Sequence, residues 1–201
     1  MTAIACDLDG VVTNFALAFS QQARFLDNRA PIVDYDDVES WDWHTWYMKG
    51  HPEASRIIED TWRYIRSNRH STFWQTPIPL YSLETLQEVY RTWPVVFVSR
   101  RDGGWAYQDT IAWLVKHGVS EPLLYLCRSG EEKHEICAKL GISTIIDDNS
   151  AVAKKCLDND MNVVLVHYRY NLAPELRPYE RTGRLVRVAS LRTALSAARA
   201  M

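Results

Sequence analysis

The sequence predicts an α/β fold with a doubly wound parallel sheet and a small helical cap inserted after the first strand. From about residue 95 onward, short apolar runs alternate with longer amphipathic segments, a pattern typical of crossover connections between parallel strands. Residues 7–94 separate the first apolar run from the second, and that span is several times the length of one crossover. The sequence therefore predicts a core domain at residues 1–13 and 78–201 and a cap at residues 14–77.

Strands are predicted where short apolar and β-branched runs are bounded by turn residues. They are Ala3–Cys6, Val95–Val98, Leu123–Leu126, Thr144–Ile146, Val163–Val166 and Leu185–Val188. Helices are predicted where apolar residues recur at helical spacing. They are Asn14–Leu26 and Pro52–Asn68 in the cap, about Ser82–Thr92 on the return to the sheet, Trp105–His117, Glu131–Leu140 and Ser150–Asn159 in the core, and a terminal helix with Ser190 as its N-cap.

The overall composition excludes several classes of partner. The 201-residue chain carries 23 Lys and Arg against 25 Asp and Glu, with a formal net charge of −2 and a pI of about 6.3. This balance does not favour duplex nucleic acid or an anionic membrane as a partner, and no apolar window reaches membrane-spanning length. The four cysteines are spread singly without a CxxC pair. We interpret them as reduced core residues of a cytoplasmic protein.

Polar side chains follow three of the predicted strands at the points where those strands end. Because ligands of a doubly wound sheet bind beyond the carboxyl ends of its strands, we expect these side chains to meet at one edge. A lysine at the start of the helix after the third strand can reach the same place. The residues are Asp7 and Asp9, Ser99, Lys133, and Asp147 with Asp148.

Carboxylates that crowd together repel one another unless a cation lies among them. Oxygen ligands of this kind suit Mg²⁺, which usually takes one or two protein carboxylates together with waters and substrate phosphate. Gly10, directly after the second aspartate, lets the chain turn sharply so that both carboxylates can face the site. The sequence therefore predicts Mg²⁺ as the cofactor.

Four short motifs carry a family resemblance. The segment "DLDG" after a strand, a strand ending in Ser99, the helix residue Lys133 and "IIDD" after a later strand resemble, in this order, the motifs of the haloacid dehalogenase-like (HAD) superfamily of phosphohydrolases. Within it, "DLDGVVTNF", the aromatic approach to the second motif and "LLYLCRSGEEKHEI" most resemble the 5'(3')-deoxyribonucleotidases. One departure is the arginine pair after Ser99, where a small residue and often a proline is expected.

The resemblance implies a role for each of these residues. Asp7 is expected to attack phosphorus as the nucleophile, and Asp9 to act as general acid and base. Ser99 and the backbone N–H of Arg100 are expected to bind the phosphoryl oxygens, and Lys133 to neutralise nucleophile and phosphate. The expected metal ligands are Asp7, the carbonyl of Asp9, Asp147 and the adjacent Asp148.

Each motif alone also fits a structural role. The segment "DLDG" could be an acidic turn, "IIDDN" a helix N-cap with Asn149 or Ser150 as the cap, and Lys133 a solvated helix residue. Their joint occurrence, in order and each at a strand end or helix start, favours an enzyme.

Aromatic residues dominate the predicted cap. Trp41, Trp43 and Trp46 are expected to supply much of the small core that a helical cap needs. Phe73 and Trp74 lie just before the return to the sheet, so we expect them to reach over the site and stack on a nucleotide base.

Three functions remain open at this point. The first is a Mg²⁺-dependent 5'-nucleotidase acting on a small nucleoside monophosphate. The second is a polynucleotide 3'-end phosphatase, which an open basic groove lined by Arg100, Arg101 and Arg128 would favour. The third is a non-catalytic nucleotide-binding protein, against which the complete set of motif residues argues. The sequence also leaves open whether the chain forms a homodimer through its cap.

Overall fold

A computed structural model describes residues 3–67, 73–80, 87–88, 90–91 and 94–201. Its centre is a six-stranded sheet, and every pair of neighbouring strands within it is parallel. The strands are β1 (Ile4–Cys6), β2 (Val95–Ser99), β3 (Leu123–Leu126), β4 (Thr144–Asp147), β5 (Asn162–Val166) and β6 (Leu185–Val188). Their order across the sheet is β3-β2-β1-β4-β5-β6. The predicted α/β class with a parallel sheet is confirmed.

Helices connect the strands as the apolar spacing predicts. The cap carries α1 (Phe15–Leu26), α2 (Trp43–Trp46) and α3 (Ala54–Ser67), and the core carries α4 (Ala106–Lys116), α5 (Glu132–Lys139), α6 (Ser150–Asp158), α7 (Arg177–Arg181) and α8 (Leu191–Ala200). Asn149 caps α6 by accepting hydrogen bonds from two backbone N–H groups, and Ser190 caps α8. The sequence predicted neither the four-residue α2 nor α7, a short helix with Pro178 in its first turn.

Alternate residues along the strands face opposite sides of the sheet, and helices cover both sides. On one side Phe97 and Ile146 pack with Trp113 of α4 and Leu195 of α8. On the other side Val98 and Ile145 pack with residues of α5 and α6, among them Cys137 and Leu157. Burial on both faces explains why the strands are continuous apolar runs. It also confirms the doubly wound arrangement.

The segment between β1 and β2 supplies most of a third apolar cluster. Phe15 and Phe19 from α1, Trp43 from α2 and Ile58 from α3 are all buried in it. Helix α1 begins after Asn14, whose side chain accepts a hydrogen bond from the Leu17 N–H. These contacts agree with a helical cap, whose boundaries at residues 14 and 77 stay a prediction.

Three further expectations concern the return to the sheet, the cysteines and membrane-spanning helices. The helix predicted at about residues 82–92 lies mostly outside the described residues, and the four described residues of that segment, 87, 88, 90 and 91, are helical. All four cysteines are buried and unpaired, as predicted. Among the described helices, none has the length and apolarity needed to cross a membrane.

Candidate active site

The site lies where the order of the sheet changes direction. The chain proceeds from β1 outward to β2 and β3 on one side, and β4 begins the other half of the sheet. Asp7 follows β1, and its N–H donates to the Ile146 carbonyl of β4 at 2.9 Å. Asp147 ends β4 and Asp148 follows it. The carboxyl ends of these two central strands therefore deliver three carboxylates to the switch point of the sheet.

Lys133 joins two of these carboxylates. Its Nζ lies 2.7 Å from Asp7 Oδ2 and 2.8 Å from Asp147 Oδ2, and the lysine side chain is 3% exposed. The other oxygen of Asp147 accepts hydrogen bonds from the backbone N–H groups of Asp148 and Asn149, at 3.0 and 2.9 Å. Both oxygens of Asp147 are therefore occupied by the protein itself.

Asp148 differs from its neighbour in its hydrogen bonds. It is fully buried, and its Oδ2 accepts a hydrogen bond from the Tyr170 hydroxyl at 2.5 Å. Its Oδ1 has no hydrogen-bond partner within the part of the chain that the structure describes. Carboxylate oxygens of Asp7, Asp147 and Asp148 lie within 4.8 Å of one another. A buried carboxylate oxygen without a donor is a position that a cation can fill.

Gly10 allows the turn after β1 to pass close to Asp148. Its φ is +81°, in the left-handed region that glycine adopts without strain. A Cβ at this position would lie 1.8 Å from Asp148 Oδ2. Only a glycine therefore fits here, on grounds of both backbone conformation and space.

The electrostatics of the cluster show an excess of buried negative charge. Burial, opposed by Lys133 and reinforced by Asp147, raises the pKa of Asp7 to about 6. Burial and the charge of Asp147 also raise the pKa of Asp148 well above its usual range. Burial acts to lower the pKa of Lys133, but its two carboxylate partners outweigh burial and raise it. One lysine does not balance three carboxylates, so the donor set fits a small divalent cation such as Mg²⁺.

Asp9 lies apart from this cluster and pairs with Arg101. The guanidinium donates to both oxygens of Asp9, from Nη2 at 2.6 Å and from Nε at 3.1 Å. Arg101 is wholly buried as a side chain, and its Nη1 donates to Thr110 of α4 at 3.0 Å. Thr13 also donates to Asp9 Oδ1 at 2.7 Å. The Asp9 carboxylate is therefore held in one orientation by two side chains.

The arginines that could form an open basic groove do not lie together. Arg101 is buried against Asp9. Arg128 has a 93% exposed side chain and pairs with Glu132 at 3.2 Å. Arg100 is exposed and lines the cavity described next. The groove that would favour a polynucleotide substrate is therefore not formed by these three side chains.

A cavity of about 240 Å³ joins the carboxylate cluster to the cap. Its polar lining includes Asp7, Asp9, Ser99, Lys133 and Asp148. Its apolar lining comes from rings of the cap: Phe15, Trp41, Trp43, Trp62 and Trp74. The cavity thus has a charged end, lined by three carboxylates and Lys133, and an aromatic end that suits a flat apolar group.

The two aromatic residues predicted to stack on a base differ in their surroundings. Phe73 is buried and does not line the cavity; it packs edge-on against Phe15 and Trp74 in the cap core. Trp74 lines the cavity but is only 4% exposed. Its ring lies 4.9 Å from the Arg101 guanidinium and 5.9 Å from the Phe15 ring. The base-stacking role predicted for Phe73 does not fit this position.

Trp41 and Trp62 are better placed for such contact, because both line the cavity and remain partly exposed. From the sequence, Trp41 was expected only in the cap core, and Trp62 was given no role. Trp62 lies on α3 at a position where the pattern alone does not separate a core residue from a cavity residue.

Other residues of the site were also missed from the sequence. Arg101 was considered only as part of an external groove, although its position two residues after Ser99, at the end of a strand next to β1, brings it near Asp9. Tyr170 follows β5, whose carboxyl end is adjacent to that of β4. The general rule on strand ends could have found it.

Solved structures with a similar fold include HAD family hydrolases. A HAD family hydrolase from Deinococcus radiodurans R1, with bound phosphate and sodium, is 18% identical with a TM-score of 0.56, covering 100% of this chain and 95% of that one. A haloacid dehalogenase-like hydrolase from Streptococcus pneumoniae is 13% identical with a TM-score of 0.61, covering 98% and 97%. The L-2-haloacid dehalogenase from Xanthobacter autotrophicus is 10% identical with a TM-score of 0.55, covering 100% and 99%. No curated protein matches the chain in sequence.

The fold and the carboxylate-lined site define a phosphatase of the HAD type. The family described as "5' nucleotidase, deoxy (Pyrimidine), cytosolic type C protein" matches residues 1–175. The chain belongs to this family, which confirms the resemblance read from its motifs.

Proposed function

We propose that the protein is a Mg²⁺-dependent 5'-nucleotidase that hydrolyses deoxynucleoside or nucleoside monophosphates through an aspartyl-phosphate intermediate. The observation that carries this proposal is the single cavity that joins Asp7 and Lys133 to the tryptophans of the cap. A phosphate at the charged end and a base at the aromatic end together make a nucleotide. The family match supports the same substrate class.

The residues of the charged end account for both halves of the reaction. An Asp7 oxygen attacks phosphorus, an O–P bond forms, and the bond from phosphorus to the ester oxygen breaks. Asp9 gives its proton to the departing oxygen, and in the second half it takes a proton from the water that hydrolyses the aspartyl-phosphate. Ser99 and the Arg100 N–H bind phosphoryl oxygens, and Lys133 offsets their charge.

Three groups would hold the metal in this proposal: the carboxylates of Asp7 and Asp148 and the carbonyl of Asp9. The unpartnered Oδ1 of Asp148 supports it as the direct ligand. Asp147 has both oxygens engaged, by Lys133 and by two backbone N–H groups, and Asp7 is engaged in the same way by Lys133 and the Leu8 N–H. Of these three carboxylates, only Asp148 therefore has an oxygen left open by the described residues. When bound, Mg²⁺ supplies positive charge that neutralises the carboxylates and the phosphoryl oxygens.

A mononucleotide is favoured over a polynucleotide end. Arg101 is buried against Asp9, and Arg128 pairs with Glu132 on the surface. Of the three arginines Arg100, Arg101 and Arg128, only Arg100 therefore lines the cavity. Base contact with Trp41 or Trp62 replaces the stacking on Phe73 that the sequence suggested. The family description as cytosolic supports a cytoplasmic location, and homodimerisation stays a prediction.

The test is phosphate release from nucleoside monophosphates, sugar phosphates and a 3'-phosphorylated oligonucleotide, each with Mg²⁺ and with excess EDTA. We expect the nucleoside monophosphates to be hydrolysed with the highest kcat/KM, and EDTA to abolish the reaction. Asp7→Asn serves as the inactive variant and Asp160→Asn, at a 98% exposed side chain, as the matched control. Full activity in EDTA would contradict the proposed Mg²⁺ requirement. A higher kcat/KM for the oligonucleotide would favour the polynucleotide 3'-end phosphatase.

A further inference from the structure

Tyr170 makes the closest side-chain contact to the carboxylate that is left open for a metal. It lies in a short 3₁₀ turn, Arg169–Asn171, which follows β5. Its hydroxyl donates to Asp148 Oδ2 at 2.5 Å, while Asp148 Oδ1 has no partner among the described residues. The two oxygens of Asp148 are therefore not equivalent, because one is engaged by the protein and the other is open.

The turn that carries Tyr170 is anchored to the backbone of the same aspartate. Asn171 is fully buried, and its side-chain amide donates to the Asp148 carbonyl at 2.9 Å and to the Val166 carbonyl at 2.6 Å. Arg187 of β6 donates to the Asn171 carbonyl at 3.1 Å. The hydroxyl of Tyr170 is thus fixed relative to Asp148 by bonds that its own side chain does not make.

Aromatic contacts hold the Tyr170 ring from other directions. The Tyr168 ring stacks on it with centroids 5.3 Å apart and planes 11° apart. The cap contributes Trp41, which meets the Tyr170 ring edge-on at 5.1 Å. A ring held on these sides keeps its hydroxyl in place even when Asp148 moves. The contact with Trp41 also links the metal-binding end of the cavity to its aromatic wall.

We propose that Tyr170 is a positioning residue for the metal site, holding Asp148 Oδ2 so that Oδ1 is presented to the cation. This inference rests on the proposed function, because it requires that Asp148 bind Mg²⁺. A phenol hydroxyl suits the task, since it donates to the carboxylate without adding a second negative charge to a cluster that already holds three carboxylates. Groups that orient a metal ligand in this way typically contribute 10- to 100-fold in metal affinity.

The test measures Mg²⁺ binding by calorimetry on the purified full chain without substrate, for wild type, Tyr170→Phe and Tyr179→Phe. The change at Tyr170 removes one hydroxyl and keeps the ring in its aromatic contacts. The control removes a hydroxyl that contacts Asp158 on the protein surface. We expect the Kd for Mg²⁺ to rise about 10- to 100-fold in Tyr170→Phe and to stay within about twofold of wild type in the control.

A second readout covers the case in which Tyr170→Phe is less stable. The Mg²⁺-induced rise in Tm, measured for each variant against the same protein in EDTA, reports the stability that metal binding adds to that protein. We expect this rise to be smaller for Tyr170→Phe than for wild type at equal Mg²⁺ concentration. Equal Kd values and equal Tm shifts for the two proteins would overturn the inference and leave the proposed function standing. A wild-type protein that binds no Mg²⁺ would overturn both.

Discussion

The carboxyl edge of the sheet and the cap differ in the kind of side chain that they bury. At the edge, Asp7, Lys133 and Asp147 form a buried ion-paired group whose members come from separate elements and whose carboxylates outnumber the lysine. In the cap, rings such as Phe15, Phe19 and Trp43 pack on one another with centroids 4.1 to 6.2 Å apart. The edge holds charge that burial penalises, whereas the cap gains stability from apolar contact. Substitutions at the edge should therefore act mainly through charge and chemistry, and substitutions in the cap core mainly through packing.

The largest effects are expected for the two aspartates after β1. Asp7→Asn removes the nucleophile, so turnover should fall by at least about 10⁴-fold, as when a nucleophile is removed elsewhere. Asp9→Asn keeps the nucleophile and removes proton transfer, which should cost about 10²- to 10⁴-fold in kcat. Single-turnover phosphate release measures both. A trapped beryllofluoride adduct on a residue other than Asp7 would refute the assignment.

A smaller loss is expected when the orientation of Asp9 is disturbed. Arg101→Lys keeps the positive charge but loses the fork that binds both oxygens of Asp9. Misplacing a catalytic group by about 1 Å can lower the reaction rate about 10²-fold. We therefore expect kcat to fall by about that factor while KM changes little, for nucleotides and for a generic aryl phosphate alike.

Steady-state kinetics on Arg128→Lys provide the matched control, because that arginine is exposed and pairs with Glu132 on the surface. If Arg101→Lys instead raised KM and weakened inhibition by inorganic phosphate, Arg101 would be a phosphate ligand and not the partner of Asp9.

How much the sequence could predict differs between the same two regions. At the edge, topology alone brings strand ends together, so Asp7, Asp147 and Lys133 could be placed from the positions of their strands and helix. The fine division between Asp147 and Asp148 could not, because it depends on which oxygen meets Lys133 and which meets Tyr170. Those contacts arise only when distant segments pack.

In the cap, the sequence predicted an aromatic core but not which ring lines the cavity. Phe73 and Trp62 are both aromatic and both lie in the inserted segment, yet one is buried and the other remains partly exposed. No periodic signal separates them, because the direction of a ring in a small irregular domain depends on the packing of several short helices. Position relative to the returning strand placed Trp74 correctly at the cavity but did not separate it from Phe73, which does not line the cavity.

Two substitutions in the cap test this distinction. Trp62→Ala should remove base contact and raise KM for nucleoside monophosphates about tenfold, the lower part of what stacking contributes, with hydrolysis of an aryl phosphate nearly unchanged. Phe73→Leu should leave KM unchanged and lower Tm, because it removes packing area in the cap core. Steady-state kinetics and thermal unfolding of the two variants show which ring contacts the base and which one only packs in the cap core. The reverse outcome would restore Phe73 as the base contact.

The smallest expected effect concerns the stability of the metal-free protein. Asp7 has its pKa raised from 3.8 to about 6 on folding, chiefly by burial. A carboxyl whose folded pKa is raised contributes stability that is complete below about pH 4 and is lost as pH rises through about 6. The neutral Asp7→Asn side chain does not undergo this loss. In EDTA we therefore expect Asp7→Asn to unfold a few degrees above wild type at pH 8, with the gap narrowing to about half at pH 5 and closing below about pH 4.

Mg²⁺ should reverse the order of the two proteins at pH 8. Wild type gains stability from a cation among its carboxylates, whereas Asp7→Asn has lost one ligand. Asp7→Asn is thus expected to stabilise the metal-free protein and to abolish its activity. Such a trade-off between stability and activity is common at functional sites. Phe73→Leu should lose stability equally at both pH values and with or without metal, because its ring packs edge-on against Phe15 and Trp74, neither of which titrates. Equal Tm values for Asp7→Asn and wild type at pH 8 in EDTA would show that the buried charge is already balanced without a metal.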